Sequence, residues 1–142
     1  MNPLAIQLTL HGAIVMLFGL LSGIPYGSAI TNNADESKVH AWRVAHSGLS
    51  MGGTTMIAIS AVLSNLKFDN IFSLILVYSM VASGYGFCIA LPYGAWVGHR
   101  GLQGEKPAQN QFVYAGNIIG AIGSLIGTIL LIFGCIYNLV SA

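Results

Sequence analysis

The stretch QFVYAGNIIGAIGSLIGTILLIFGCIY, residues 111–137, carries no charged side chain. A helix crossing hydrocarbon needs about 20 predominantly apolar residues, so this run is long enough to span a membrane. Three similar runs precede it, at about Ala5–Tyr26, His46–Leu66 and Ile71–Trp96. None shows the alternating polarity of a barrel strand, and lipid-exposed backbone must be satisfied within a helix or a closed barrel. The expected fold is therefore all-α, a single four-helix transmembrane domain over residues 1–142.

Composition agrees. The chain is 55% hydrophobic and 6% charged, with a mean hydropathy of +0.75, against about 25% charged residues in a soluble domain. The net charge is +1, and no Lys- or Arg-rich patch exists to meet nucleic acid. Cys88 and Cys135 lie far apart inside apolar runs and read as small buried hydrophobes. Met1-Asn2-Pro3 has no basic residue, so the first apolar run reads as a retained helix rather than a cleaved signal peptide.

Between the runs, residues 27–45 form the one long connection, with Asp35, Glu36, Lys38, His40 and Arg43. A tight turn is expected at Lys67-Phe68-Asp69-Asn70, and a third connection at 97–110 holds His99, Arg100, Glu105, Lys106 and Pro107. Lys38, Arg43, Arg100 and Lys106 share one side and Lys67 lies on the other. The positive-inside rule then places the first and third connections in the cytoplasm, as in an inner (cytoplasmic) membrane protein. Trp42 and Trp96 fall at the same interface.

On this topology His46, Tyr93, His99, Arg100, Tyr114 and Asn117 gather at one depth. His46 stands at the edge of a membrane helix, in Trp42-Arg43-Val44-Ala45-His46-Ser47-Gly48. An ionisable group at the hydrocarbon edge is costly unless it has a partner or a role, and neutral imidazole is a common metal ligand. Ser50 and Gly53 follow at i+4 and i+7, giving a narrow, slightly polar face against which a planar macrocycle would fit. Arg43 is grouped with them. Structural hydrogen bonding of His46 is the competing reading. Tyr85, Tyr93 and Asn117 are the remaining polar candidates. Pro92 is expected to weaken the third helix just before Tyr93. Asn117 is expensive to bury idle, and could instead bond a neighbouring helix. The carboxylates Asp35, Glu36, Asp69 and Glu105 all lie in connections, which leaves acid–base hydrolysis without a pair of groups.

Gly116, Gly120, Gly123, Gly127 and Gly134 share one face of the fourth helix. Small residues at this spacing let helices approach closely in lipid, either inside one bundle or between subunits. Four short helices enclose little volume, so a bulky cofactor would need walls from a second copy; a homo-oligomer is expected.

The run Trp42 to Gly48 with the apolar sequence after it resembles the styrene oxide isomerases, a family of small membrane enzymes. His11-Gly12, His99-Arg100, Pro107-Ala108-Gln109 and Asn117-Ile118-Ile119-Gly120 are similar in order along the chain. The resemblance implies a trimer binding haem b, with iron held by His46. It also implies isomerisation of an apolar aryl epoxide, taken from the bilayer, to an aldehyde. Metal-assisted ring opening would be followed by a 1,2-hydride shift. Tyr93 and Asn117, with Tyr85 behind them, are the expected substrate-facing groups. The family's substrate-side asparagine falls at Gly52 here, and its third-helix tyrosine falls near Leu91. An alternative is a haem electron carrier or sensor, with His99 or a neighbouring subunit's histidine as second ligand. A cofactor-free scaffold is the third reading.

Overall fold

A computed structural model describes residues 2–66 and 69–141. It is all-helical, with no strand among the described residues: α1 Pro3–Thr31, α2 Glu36–Leu63, α3 Asn70–Val97 and α4 Ala108–Val140. Of the expected turn at 67–70, Lys67 and Phe68 lie outside the described residues.

Local chemistry sets the ends. Asn2 caps α1, its Oδ1 accepting from the Leu4 amide at 3.0 Å ahead of Pro3, which satisfies an otherwise orphaned donor. Gly98, at φ 76°, ends α3 in the left-handed region that lacks a steric penalty only for glycine. Neither Pro25 nor Pro92 ends its helix, so the weakening expected at Pro92 does not interrupt α3.

The largest departure from the sequence reading is the first connection. Residues 27–31 continue α1, and α2 begins at Glu36, so only residues 32–35 link them. Val39, Trp42, Ala45 and Leu49 explain this. Their spacing of three and four residues puts one apolar stripe on a helix whose other faces are polar. Trp42 and Ala45 are buried with Ala29 and Ala95, with Tyr26 and Val39 packed alongside. Polar composition does not mark the edge of the helix. His46 accordingly lies inside α2, not at its end.

Three helices, α1, α3 and α4, are long and apolar enough to cross a membrane. The chain is an integral membrane protein. The second stretch, expected to be equally apolar, forms a helix of the same length class that is more polar, because it carries His46, Ser47, Ser50, Thr54, Thr55 and Ser60.

The helices form two hairpins, α1 with α2 and α3 with α4, joined because α3 also packs on α1 and α2. Among the described residues α4 touches no helix but α3. The core is built from Leu8, Val15, Leu49, Met56, Leu63, Leu76 and Val77. The α4 glycine stripe lies against α3. A Cβ at Gly116 would sit 2.9 Å from that of Ala90, and one at Gly120 would sit 2.7 Å from the Phe87 ring. Ser83 Oγ donates to the Gly120 carbonyl at 2.6 Å across this seam. The stripe is thus an intrachain contact, which removes it as a subunit interface. One-sided packing of α4 also leaves Cys135 exposed, against expectation, while Cys88 is buried.

Candidate functional site

His46 faces α1. Its Nδ1 lies 2.9 Å from the carbonyl oxygen of Gly19. A carbonyl only accepts, so Nδ1 carries the proton and Nε2 keeps its lone pair. Holding one imidazole nitrogen on a backbone carbonyl to free the other is the usual arrangement of a metal-ligating histidine.

Glycine on α1 makes this approach feasible. A Cβ at Gly19 would collide with the Ser50 amide nitrogen, and one at Gly23 would lie 3.1 Å from His46 Nδ1. Tyr26, one turn beyond Gly23, stacks on the His46 ring with centroids 6.1 Å apart and planes at 24°. Arg43 secures Tyr26 in turn. Its Nε donates to the Tyr26 hydroxyl at 3.1 Å, and its guanidinium carbon lies 5.9 Å from the Tyr26 ring centroid. Arg43, Tyr26 and His46 therefore form one row along the α1–α2 seam, and each ring orientation depends on the next.

Sequence reasoning placed Arg43 and His46 in this site but missed Tyr26, Gly19 and Gly23. The signal was present: Gly19, Gly23 and Gly27 recur every fourth residue, as close helix contacts require. Ser50 and Gly53 also lie on this seam, but not as the open face expected. A Cβ at Gly53 would be 2.5 Å from the Gly12 carbonyl oxygen. That surface is filled by α1, because small residues suit a packed helix as well as a flat ligand. Ser50 Oγ is buried there without a hydrogen-bond partner. Space remains at Gly27 and Gly52, where an added Cβ would meet nothing within 4 Å.

The other candidates lie elsewhere within the chain. The Tyr85 hydroxyl is 2.8 Å from His11 Nδ1, between α3 and α1. Tyr93 packs edge-on against Phe112 at 5.4 Å. Asn117 Nδ2 donates to the carbonyls of Arg100 and Gly101 at 3.1 and 3.2 Å, while its Oδ1 is buried without a partner. Asn117, His99 and Arg100 line a cavity of about 510 Å³, together with His40, which the sequence placed in the long first connection. His46, Tyr93 and Tyr114 are not in that lining. The expected convergence of all six polar groups therefore fails inside one chain, because His46 points to α1 and Asn117 to the α3–α4 connection.

Chemically, the seam offers one aligned imidazole. Among the described residues no group of three or more histidine, cysteine or acidic side chains could hold a metal ion. A lone imidazole would suit an iron whose other donors come from a macrocycle.

Comparison with curated proteins returns no match. A family model for styrene oxide isomerase matches residues 4–136, which covers the His46 seam, α2 and α3 whole, and all but the outer ends of α1 and α4. With this match over nearly its whole length, the chain belongs to the styrene oxide isomerase family.

Proposed function

We propose that this protein is a membrane haem b isomerase that converts an apolar aryl epoxide to an aldehyde. The observation that carries the reading is the 2.9 Å contact of His46 Nδ1 with the Gly19 carbonyl, which leaves Nε2 as the ligand atom. Family membership supplies the reaction class. Haem, when bound, supplies a Lewis-acidic iron that stabilises negative charge developing on the epoxide oxygen.

The chain's own residues do the rest. His46 holds the cofactor, and Gly19, Tyr26 and Arg43 fix the tautomer and plane of its ring. The reaction is redox-neutral: the benzylic C–O bond breaks, hydride migrates from the neighbouring carbon, and the oxygen becomes the aldehyde carbonyl. Water would trap the benzylic cation as a diol, so the seam's position among lipid-length helices favours rearrangement. The epoxide partitions from the bilayer, which places substrate supply on the apolar outer surface.

A homotrimer is the assembly we propose, since four helices enclose little volume and Gly27 and Gly52 face open space that a second copy can fill. Tyr93 and Asn117 would then serve a site completed between copies; Tyr85, engaged with His11, has the weaker support. The charge pattern of Lys38, Arg43, Arg100 and Lys106 favours an inner-membrane protein with both of those connections cytoplasmic. The electron-carrier alternative would take its second histidine from a neighbouring copy, because His11 is bonded to Tyr85 and His99 lines the separate cavity.

The test is absorption spectroscopy of the detergent-purified, haem-supplied protein with and without styrene oxide, alongside chromatographic detection of phenylacetaldehyde. A Soret band that shifts with the epoxide, and aldehyde formation, are expected. A Soret band with no shift and no aldehyde would transfer the protein to the electron-carrier reading, and no band at all would leave His46 structural.

A further inference from the structure

A second site lies on a different face of α2 from the His46 seam. The cavity of about 510 Å³ is bounded by the first turns of α2, the last turns of α3, residues 98–102 and the start of α4. Its size is within the ~300–1,000 Å³ usual for ligand pockets. Ala41, Val44, Ala90, Leu91, Ala95 and Val113 give it an apolar body. The polar lining is cationic in balance: Lys38 and Arg100 carry fixed positive charge, His40 and His99 add two imidazoles, and Asp35 is the one carboxylate. Among the described residues, neither the Lys38 ammonium nor the Arg100 guanidinium forms a salt bridge or a hydrogen bond.

The wall is built rather than incidental. Asn117 holds the carbonyls of Arg100 and Gly101. Asn110 Oδ1 accepts from the Gly101 amide at 3.1 Å, and its Nδ2 donates to the carbonyls of Gln103 and Glu105. Gly101, at φ 58°, packs so close to α4 that a Cβ would lie 2.6 Å from the Tyr114 amide nitrogen. The backbone that presents His99 and Arg100 is thereby fixed against α4. Trp96, 80% exposed, and Leu102, 70% exposed, also line the cavity. An exposed indole beside cationic side chains is the chemistry of the membrane–water boundary. Charges beside low-dielectric walls concentrate the field felt by an anion.

We propose that this cavity binds an anionic amphiphile: a carboxylate or phosphate head at Lys38 and Arg100, with a hydrocarbon body over Val44, Ala90 and Leu91. The site does not involve His46, shares only Asn117 with the proposed substrate side, and stands whether or not the seam holds haem.

The experiment is equilibrium binding of radiolabelled laurate to the full-length protein in phosphatidylcholine nanodiscs, with empty nanodiscs subtracted. Saturable binding is expected, with displacement by dodecyl phosphate and at least about ten-fold weaker displacement by dodecanol. Lys38→Gln with Arg100→Gln should weaken binding about ten-fold or more, as loss of charge-assisted hydrogen bonds predicts. Val44→Trp should block it by filling the cavity, with helical circular dichroism unchanged in both variants. Replacing part of the lipid by phosphatidylglycerol separates the sources. Lost laurate binding identifies a lipid headgroup as the occupant; retained binding identifies a free amphiphilic anion. Non-saturable uptake, equal for laurate and dodecanol and indifferent to both variants, would overturn the proposal.

Discussion

His46 and Gly19 lie twenty-seven positions apart in sequence, yet the imidazole Nδ1 donates to the glycine carbonyl at 2.9 Å. That one hydrogen bond fixes which nitrogen is protonated, joins α2 to α1, and leaves Nε2 as the imidazole atom free for another partner. Substitution along this relationship is the most direct way to probe the seam.

His46→Gly should abolish the Soret band at stoichiometric haem. Added imidazole should restore most of it, because the space left by the side chain accepts a free ring. Pyridine haemochrome titration gives the haem content. A full complement in His46→Gly without imidazole would show that another residue is the ligand.

Gly23→Leu should displace the His46 ring, since even a Cβ would lie 3.1 Å from Nδ1. Overpacking of this kind costs about 1–3 kcal/mol. Haem affinity and thermal stability should therefore fall together, measured by haem transfer to apomyoglobin and by scanning fluorimetry. Unchanged affinity at lowered stability would separate α1 from the ligand site.

Tyr26→Phe and Tyr26→Leu should differ. Phenylalanine keeps the stack on His46 and loses only the Arg43 hydrogen bond, a net effect of about 0.5–1.5 kcal/mol. Leucine loses both and frees the imidazole plane. Electron paramagnetic resonance of the ferric protein should show near-normal g-values for phenylalanine and a broadened spectrum for leucine. Identical spectra would mean that Tyr26 does not orient the ring.

Tyr85→Phe should destabilise without touching the haem spectrum. It leaves the half-buried His11 Nδ1 unpartnered, which costs about 1–3 kcal/mol, while the His46 seam is unaltered. A shifted Soret band in this variant would place Tyr85 in the cofactor site after all.

Gly120→Leu should weaken the α3–α4 hairpin, because Phe87 and the Ser83 hydrogen bond occupy that face. The expected loss is about 1–3 kcal/mol of stability, with subunit stoichiometry preserved in native mass spectrometry. Dissociation into single chains of undiminished stability would return the glycine stripe to a subunit interface.

Sequence alone determined the membrane setting and the four helices, and singled out His46 as a candidate. These follow from run length, charge content and residue type, which are local properties. It also carried the family motif around Trp42–Gly48. The helix extensions at 27–31 and 36–45 were legible in principle, from the Val39, Trp42, Ala45, Leu49 stripe, but polar composition masked them. Only tertiary structure decided which neighbour each small or polar residue faces. Gly53 and Gly120 are both glycines at helical spacing, and nothing local says that one meets α1 and the other α3. Likewise the sequence places His46 and Asn117 at one expected depth, yet rotation about their helix axes sends them to different neighbours. Depth is set by sequence position, whereas direction about the axis is set by packing against other helices, and a site needs both.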